Sequence, residues 1–561
     1  MNILHPLGAV RQKLALTLTQ SRWGPEAFLL LLSLFWVLVV NRPFFAALGA
    51  DLSQVSGWGF VLAMAVFVLA THALLLALVG WKGVFKPVLA LLILTAAGTS
   101  YFTQQFGIYL DPSMVRNVIR TDVAESRELL SLGLVLHMVL VAGIPLWLLW
   151  RLRWQPRPLL QGLWRRLAFA ALMVVLAVAA VMSVFQPFAS LMRNHKEVRY
   201  LITPANAVWS LSQVLWGDAQ GAAKPREPIG LDAQLQRPAA QRERPLVLIL
   251  VLGETVRAAN WGLNGYARQT TPALAAQNVW NAGSVEACGT NTEVSVPCLF
   301  APVGRRDYDE KRIRGQQSLL HVLQRAGVQV HWRDNQSGCK GVCEDLPQEM
   351  VSASMAPDLC EGGRCLDEAL FRDLDQRLQQ VAQGRDVHVW VMHMLGNHGP
   401  SYFRRYPPDF ARFTPQCRSD DLKACSVPEI VNAYDNAVLY TDHLLAQAIT
   451  RLKAREGQVD SALLYVSDHG ESLGENGLFL HGMPYAIAPA VQKQVPMVFW
   501  ASQGLGAGTH TDLGCMRQRW TAGGLAHDHL FHTVLGLLGV QTALHEKSLD
   551  LSEGCRLSAA G

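Results

Sequence analysis

Three short runs of aliphatic and β-branched residues end in side chains that bind metal ions or move protons. The run "LVLILVL" (246–252) leads into Gly253 and Glu254. The run "VHVWVM" (387–392) leads into His393, with His398 close behind in "HMLGNHGP", and "ALLYVS" (462–467) leads into Asp468 and His469 in "SDHGESLGE". Two carboxylates and an imidazole make a mixed oxygen–nitrogen ligand set that suits zinc, with manganese as the alternative. A hydroxyl would complete it, and "CGTNTEVSVPC" (288–298) offers one on a loop bounded by two cysteines. Threonine is a weak nucleophile at its free pKa, but a cation stabilises its alkoxide, and a tethered loop can hold the oxygen in line with a leaving group. Gly289 permits close backbone approach. A helix beginning just after Thr290 would favour a phosphate at its N-terminus. Thr290, Thr292 and Ser295 are rival hydroxyls that position alone does not separate. Each of these residues has a plainer reading by itself, as a helix cap after a strand or a loop hydrogen bond. Their arrival together after successive strands is harder to dismiss.

The elements that must position them alternate. Besides the three runs above, "VQVHW" (328–332) and "VPMVFW" (495–500) read as buried parallel strands, and "QSLLHVLQRAG" and "YDNAVLYTDHLLAQAITRLKA" read as helices between them. Alternating strands and helices predict an α/β domain around a central, mostly parallel sheet, from residue 246 to 561. In such folds sites form at the carboxyl ends of strands.

The first third of the 561-residue chain is different. Apolar runs at 27–46, 57–80, 87–102, 131–150 and 167–188 predict five helices able to cross ~30 Å of hydrocarbon, and residues 1–188 read as a transmembrane domain. The first run lacks a small-residue cleavage site after it, so it does not read as a signal peptide. Arg11, Lys13, Arg22, Lys82, Lys86, Arg151, Arg153, Arg157, Arg165 and Arg166 lie on one side of the spans, against Arg42, Arg116, Arg120 and Arg127 on the other. This bias places the N-terminus in the cytoplasm and, after an odd number of spans, everything beyond about residue 190 outside. The ten cysteines agree, because all lie between Cys288 and Cys555. That distribution points to disulfides in an oxidising compartment. Pairing neighbours gives Cys288–Cys298, Cys339–Cys343, Cys360–Cys365 and Cys417–Cys425, leaving Cys515 with Cys555, although sequence does not fix connectivity. Residues 189–245 read as an interfacial helical segment followed by a Pro- and charge-rich linker. The net charge of +5 is mild and no basic cluster suggests nucleic acid.

These features resemble one family, the phosphoethanolamine transferases of Gram-negative bacteria that act on lipid A, including the mobile colistin-resistance enzymes. The resemblance rests on "GETVRAANWGLNGYARQTTP" (253–272), "CGTNTEVSVPCLF" (288–300), "DNQSGCKGVC" (334–343), "GNHGPSYFRRYPPDF" (396–410), "YDNAVLYTD" (434–442), "SDHGESLGENGLFLHGMPYAIAP" (467–489) and "HDHLFHTVLGLL" (527–538). It implies an alkaline phosphatase/sulfatase-like soluble domain in the periplasm, behind an inner-membrane domain. By the resemblance Thr290 is the nucleophile and fourth zinc ligand beside Glu254, Asp468 and His469. His398 and His481 stand near the phosphate, for a second metal or proton transfer, and His393 is a weaker match. Lys340 lies near the substrate phosphate, with Gln336 where some relatives have Asn. Asn117, Thr121 and Glu125, in "MVRNVIRTDVAES", hold the lipid donor. The implied reaction moves phosphoethanolamine from phosphatidylethanolamine to a lipid A phosphate through a phosphoethanolamine-threonine, in a monomer tied to the membrane, and lowers the outer membrane's negative charge toward polymyxins. The alternatives are transfer to a lipopolysaccharide core sugar and phosphoglycerol transfer to a periplasmic glycan. A sulfatase would need a CxPxR-type motif, which is not found.

Overall fold

The structure is a computed structural model that describes residues 22–48, 55–79, 84–121, 123–155, 157–222, 225–361 and 363–557. Arg11, Lys13 and Lys82, counted above for orientation, lie outside the described residues, as does the side chain of Glu125. The chain forms two compact units. Residues up to 115 and 131–214 make the first; residues 116–130 and 215 onward make the second.

Among the described residues of the first unit, four helices are long and apolar enough to cross a membrane: Gly57–Val79, Phe85–Phe106, Leu132–Arg151 and Leu159–Ser183. The run at 27–46 is a correction to the expectation of five. It forms an 11-residue helix, Pro25–Phe35, continued by a 5-residue π-turn, Trp36–Val40. It then breaks at Asn41 before a separate short helix, Arg42–Ala47. At 1.5 Å per residue the apolar stretch falls short of ~30 Å. The break has a local cause. The fully buried Asn41 amide donates to the carbonyls of Trp36 (3.0 Å) and Thr203 (2.8 Å), and its oxygen accepts the Thr203 N–H (2.8 Å). An amide that serves the backbone in this way competes with helix continuation.

The second unit is built on a seven-stranded sheet. In chain order its strands are β1 (Leu246–Gly253), β2 (Trp280–Glu286), β3 (Gln329–Asp334), β4 (Gln348–Met350), β5 (Val387–His393), β6 (Asp460–Ser467) and β7 (Gln494–Ala501). Their spatial order is β2-β7-β6-β1-β5-β3-β4. The sheet is mixed. The pairs from β6 through β1, β5 and β3 to β4 are parallel, but β7 runs antiparallel to both β6 and β2. The expectation that 495–500 would be a parallel strand is therefore corrected. A parallel return is usually made through a crossover helix; the segment from 468 to 493 instead holds a short hairpin, Ser472–Leu473 with Phe479–Leu480, the 3-10 turn Glu475–Gly477 and the four-residue Ala490–Lys493 turn of helix, and the strand comes back reversed. Strands β2 and β4 were not anticipated, because each alternates with polar residues at a sheet edge.

β1 and β6 are buried along their whole lengths, which is why their sequences read as unbroken apolar runs. Register then does the positioning. Leu246 pairs with both Val387 and Asp460, so Gly253 ends level with Ser467, and His393 ends level with Leu252 and Asp334. Residues 225–245 lie against this unit, with Ile229 and Ala233 in its core and Leu235 paired with Val540. The five disulfides join the pairs nearest in sequence and Cys515 to Cys555.

Substituting Asn41→Ala strands the N–H and carbonyl of Thr203 in a buried place, while the Trp36 carbonyl keeps the residue-41 N–H (2.9 Å). We expect a loss of about 1–3 kcal/mol of stability, read as a lowered Tm of the detergent-solubilised protein; an unchanged Tm would contradict the role given to Asn41.

Candidate active site

Glu254 leaves β1 and Asp468-His469 leave β6, adjacent parallel strands, so the three side chains meet. Their ligand atoms lie within 4.8 Å of one another, and all three residues are fully buried. His469 Nε2 is 3.2 Å from Glu254 Oε1 and 3.4 Å from Asp468 Oδ2. The backbone helps aim them. Thr255 takes a left-handed φ of 56°, a conformation a β-branched residue adopts only when its surroundings impose it. Here the Tyr434 hydroxyl donates to the Thr255 carbonyl (2.6 Å) and the Val256 N–H donates to Ser467 Oγ (2.8 Å).

The hydrogen bonds leave one oxygen of each carboxylate bare. Asp468 Oδ1 accepts the N–H groups of Thr255 (3.2 Å) and His469 (2.7 Å), while Oδ2 accepts none. Glu254 Oε2 accepts from Thr292 (3.0 Å) and Gln336 (3.1 Å), while no hydrogen bond reaches Oε1. His469 Nδ1 lies 2.9 Å from the Gly470 carbonyl, which can only accept, so Nδ1 carries the proton and Nε2 turns its lone pair toward the two bare oxygens. Buried lone pairs facing one another are costly without a cation between them. Burial and the adjacent Glu254 push Asp468 up to about 7. Burial opposes charging of His469, but Asp468 and Glu254 outweigh it and raise the imidazole to about 10, so without a metal ion a proton on Nε2 takes the place of the cation between the two bare oxygens. A divalent cation satisfies all three donors at once, and the residues fit one. A second group, Glu254 with His398 and His481, brings its ligand atoms within the same 4.8 Å limit. His481 is anchored through Nδ1 on Glu471 (3.1 Å), and burial, then the charge of His469, lowers its pKa.

The three hydroxyls separate clearly. Thr290 does not face the cluster: its hydroxyl donates to the Met483 carbonyl (2.6 Å). Ser295 donates to the Asp468 carbonyl. Thr292 reaches the ligands, donating to Glu254 Oε2 at 3.0 Å and standing 3.4 Å from His469 Nε2. The structure thus brings Thr292, and not Thr290, against Glu254 and His469. The reason is helical phase. Asn291 caps the Thr292–Leu299 helix, accepting the Val294 N–H, so Thr292 occupies its first position while Thr290 is still in the approaching strand of chain. That approach is tight. A Cβ on Gly289 would lie 2.8 Å from the Val294 side chain and 2.9 Å from the Ser295 nitrogen. Cys288–Cys298 ties the loop to the end of the helix. His527, held neutral by burial with its pKa near 3, accepts the Cys288 N–H and donates to the Ser467 carbonyl, joining this loop to β6.

The remaining candidates lie around this centre. His393 is fully buried against Asp334, with Nδ1 2.8 Å from Oδ2 and no hydrogen-bond partner for Nε2. Lys340 donates to the Ser337 carbonyl (3.2 Å) and stands 3.6 Å from Glu293 Oε1. Asn117 and Thr121 belong to the 116–130 segment of the second unit, where the Thr121 hydroxyl donates to the Asn117 carbonyl (2.8 Å). Sequence reasoning passed over Glu293. Its side chain is fully buried beside Thr292 and holds Arg120 (3.0 Å) and Arg314 (3.2 Å). The available signal was a lone acid in the otherwise uncharged "TEVSVPCLF" (292–300).

Comparison with known proteins agrees with both halves of this layout. A family model described as Sulfatase matches residues 247–540, and one described as Phosphoethanolamine transferase EptA/EptB matches residues 67–218. Phosphoethanolamine transferase EptA of Escherichia coli (strain K12) is 38% identical over 542 residues, spanning 94% of this chain and 97% of that protein. Phosphatidylethanolamine transferase Mcr-1 of Escherichia coli is 35% identical across 86% of this chain and 91% of its own. In three dimensions the chain is similar to the integral membrane protein lipooligosaccharide phosphoethanolamine transferase A (EptA) from Neisseria meningitidis, with a TM-score of 0.90, 36% identity, and coverage of 96% of this chain and 100% of that one.

Two outcomes follow from the geometry. Glu254→Ala, Asp468→Ala and His469→Ala should each strip most of the bound divalent metal, measured by elemental mass spectrometry, whereas Thr290→Ala should retain it. The Asp334–His393 pair should also leave a pH signature. Burial opposes both charges, yet their mutual attraction holds Asp334 down at about 2 and raises His393 above its ordinary value. A raised imidazole contributes stability that is complete below its unfolded pKa of about 6.5 and is lost as pH rises through the folded value. The Tm gap between the wild type and Asp334→Asn should therefore narrow from pH 6 to pH 9; a gap that stays constant or widens would refute the ion pair.

Proposed function

The chain belongs to the EptA/EptB-type lipid A phosphoethanolamine transferase family, and we propose that it transfers phosphoethanolamine from phosphatidylethanolamine to a phosphate of lipid A, with Thr292 as the nucleophile. One observation carries the residue assignment: of the three candidate hydroxyls, only that of Thr292 touches Glu254 and approaches His469. Zinc suits the ligands Glu254, Asp468 and His469, and when bound it would supply Lewis acidity that lowers the pKa of the neighbouring hydroxyl and offsets phosphoryl charge.

The chain's own groups account for the rest. The Thr292 oxygen bonds to the donor phosphorus as the bond from phosphorus to the glycerol oxygen breaks. Diacylglycerol departs and phosphoethanolamine-threonine remains. An oxygen of the lipid A phosphate then attacks the same phosphorus and Thr292 leaves. Thr292 stands at the first position of its helix, where free N–H groups favour phosphoryl oxygens. His481 and His398 are near enough to Glu254 to move protons in both steps. A lowered pKa keeps His481 neutral at pH 7, with Nδ1 donating to Glu471 and Nε2 open to accept a proton and return it to the leaving oxygen.

Both substrates are lipids, and four apolar helices accompany the catalytic unit. The product gains an ammonium group, lowering the outer membrane's negative charge and its attraction for polymyxins.

Mass spectrometry of lipid A from cells expressing this chain should show a phosphoethanolamine increment that Thr292→Ala abolishes and Thr290→Ala retains at least in part. Loss with Thr290→Ala alone would overturn the Thr292 assignment. No increment from the folded wild type would overturn the acceptor.

A further inference from the structure

Two loops meet beside the metal ligands, and each carries a group that the reaction uses. One is the Cys288–Cys298 loop with Thr292. The other carries His481 in "HGMPYAIAP" (481–489), whose remaining residues have no part in the chemistry above. The backbone around His481 is unusual. Leu480 and Gly482, on either side of it, both take a left-handed φ, 62° and 88°. Glycine adopts that conformation freely, but leucine does so only under restraint.

The restraints come from outside the turn. The Gln492 amide donates to the Leu480 carbonyl (3.2 Å) and accepts the Met483 N–H (3.2 Å). Thr290 holds the residues between. Its carbonyl accepts the Gly482 N–H (2.8 Å), and its hydroxyl donates to the Met483 carbonyl (2.6 Å). Farther along, the Tyr485 hydroxyl lies 2.7 Å from Glu286 Oε1 and 3.0 Å from the Ala287 carbonyl. Its ring stacks under Arg305 (3.6 Å), which itself donates to the Cys288 carbonyl (3.3 Å). Residues 482–485 are thus stitched to residues 286–290. The His481 ring is fixed from another side, through Nδ1 on Glu471 (3.1 Å). Glu471 aims the imidazole, but the distance of the turn from Thr292 is set by Thr290, two residues before it.

We propose that Thr290 is a positioning residue for His481: it locks the left-handed turn to the nucleophile's own loop, so that Thr292 and the imidazole keep one spacing. The inference rests on the transferase reading above. In that reaction the Thr292 proton passes to His481 Nε2. The bond from Thr292 Oγ to phosphorus forms as the bond from phosphorus to the glycerol oxygen breaks, and the proton leaves on that oxygen with diacylglycerol. An imidazole displaced by a fraction of an ångström serves this transfer poorly.

The test uses the full-length protein in micelles with phosphatidylethanolamine and, separately, with a p-nitrophenyl ester of phosphoethanolamine, whose nitrophenolate departs without a proton. Thr290→Val removes the hydroxyl and keeps the shape. It should lower kcat for diacylglycerol release about ten-fold, the loss of one hydrogen bond, with KM and bound zinc near their wild-type values. Nitrophenolate release should fall less than about two-fold, and Thr290→Ser should restore most of the diacylglycerol rate. In a His481→Ala background Thr290→Val should cost less than about two-fold more, because the group it positions is gone. Equal falls on both substrates, an undiminished effect in the His481→Ala background, or an unchanged kcat would overturn the proposal. A wild-type rate from His481→Ala would overturn the proton role of His481 in the transferase reading, and this proposal with it. A wild type that releases no diacylglycerol would instead overturn the donor. The lock is then decided by amide hydrogen exchange, which Thr290→Val must speed about ten-fold at Gly482 and Met483 or the assignment fails.

Discussion

Two carboxylates and an imidazole are pressed together inside a dry core, and much of the second unit serves to keep them there. Charges of like sign near 4 Å repel by roughly 4 kcal/mol at the effective dielectric of a protein. Left to themselves, Glu254 and Asp468 would turn away or take up protons. Neither can turn. Parallel register fixes where β1 and β6 end, backbone N–H groups hold one oxygen of Asp468, and Thr292 and Gln336 hold one oxygen of Glu254. The strain of that arrangement is relieved by a divalent cation, so the same contacts that disfavour the empty cluster favour metal binding.

The loop from Cys288 to Cys298 works within this constraint. Its three hydroxyls differ little in chemistry but greatly in partner. Two are committed to backbone carbonyls, and the third meets the cluster. The tight passage at Gly289, the Asn291 cap, the disulfide and the neutral His527 together fix the phase of the helix. A one-residue slip would put a different side chain on Glu254. Catalytic groups of this kind must be held within a fraction of an ångström, which is a reason for so many independent restraints on eleven residues.

Around the centre lies a ring of ion pairs that includes the 116–130 segment. Arg120 reaches Glu293 and Glu128 reaches Arg405 and Arg364. Exposed pairs of this sort contribute little, but buried ones are specific, because losing one partner leaves the other charged and dry. Glu293 is the pivot, since its backbone continues from Thr292 while its carboxylate gathers cations.

Much of this was legible in the amino-acid order. Apolar runs ending in Glu254, Asp468 and His469 announced buried strands with ligands at one edge, because strand periodicity and burial are local properties. The confinement of cysteine to the residues after 287 announced an exported domain. Chain order could not reveal the direction of β7, because the 468–493 connection is long enough to return in either sense, or the break at Asn41, whose partner Thr203 is distant in sequence. Nor could it choose Thr292 over Thr290. Two threonines a single residue apart are equivalent in composition and spacing. They become different only when a helix begins between them and turns one toward a glutamate 38 residues away.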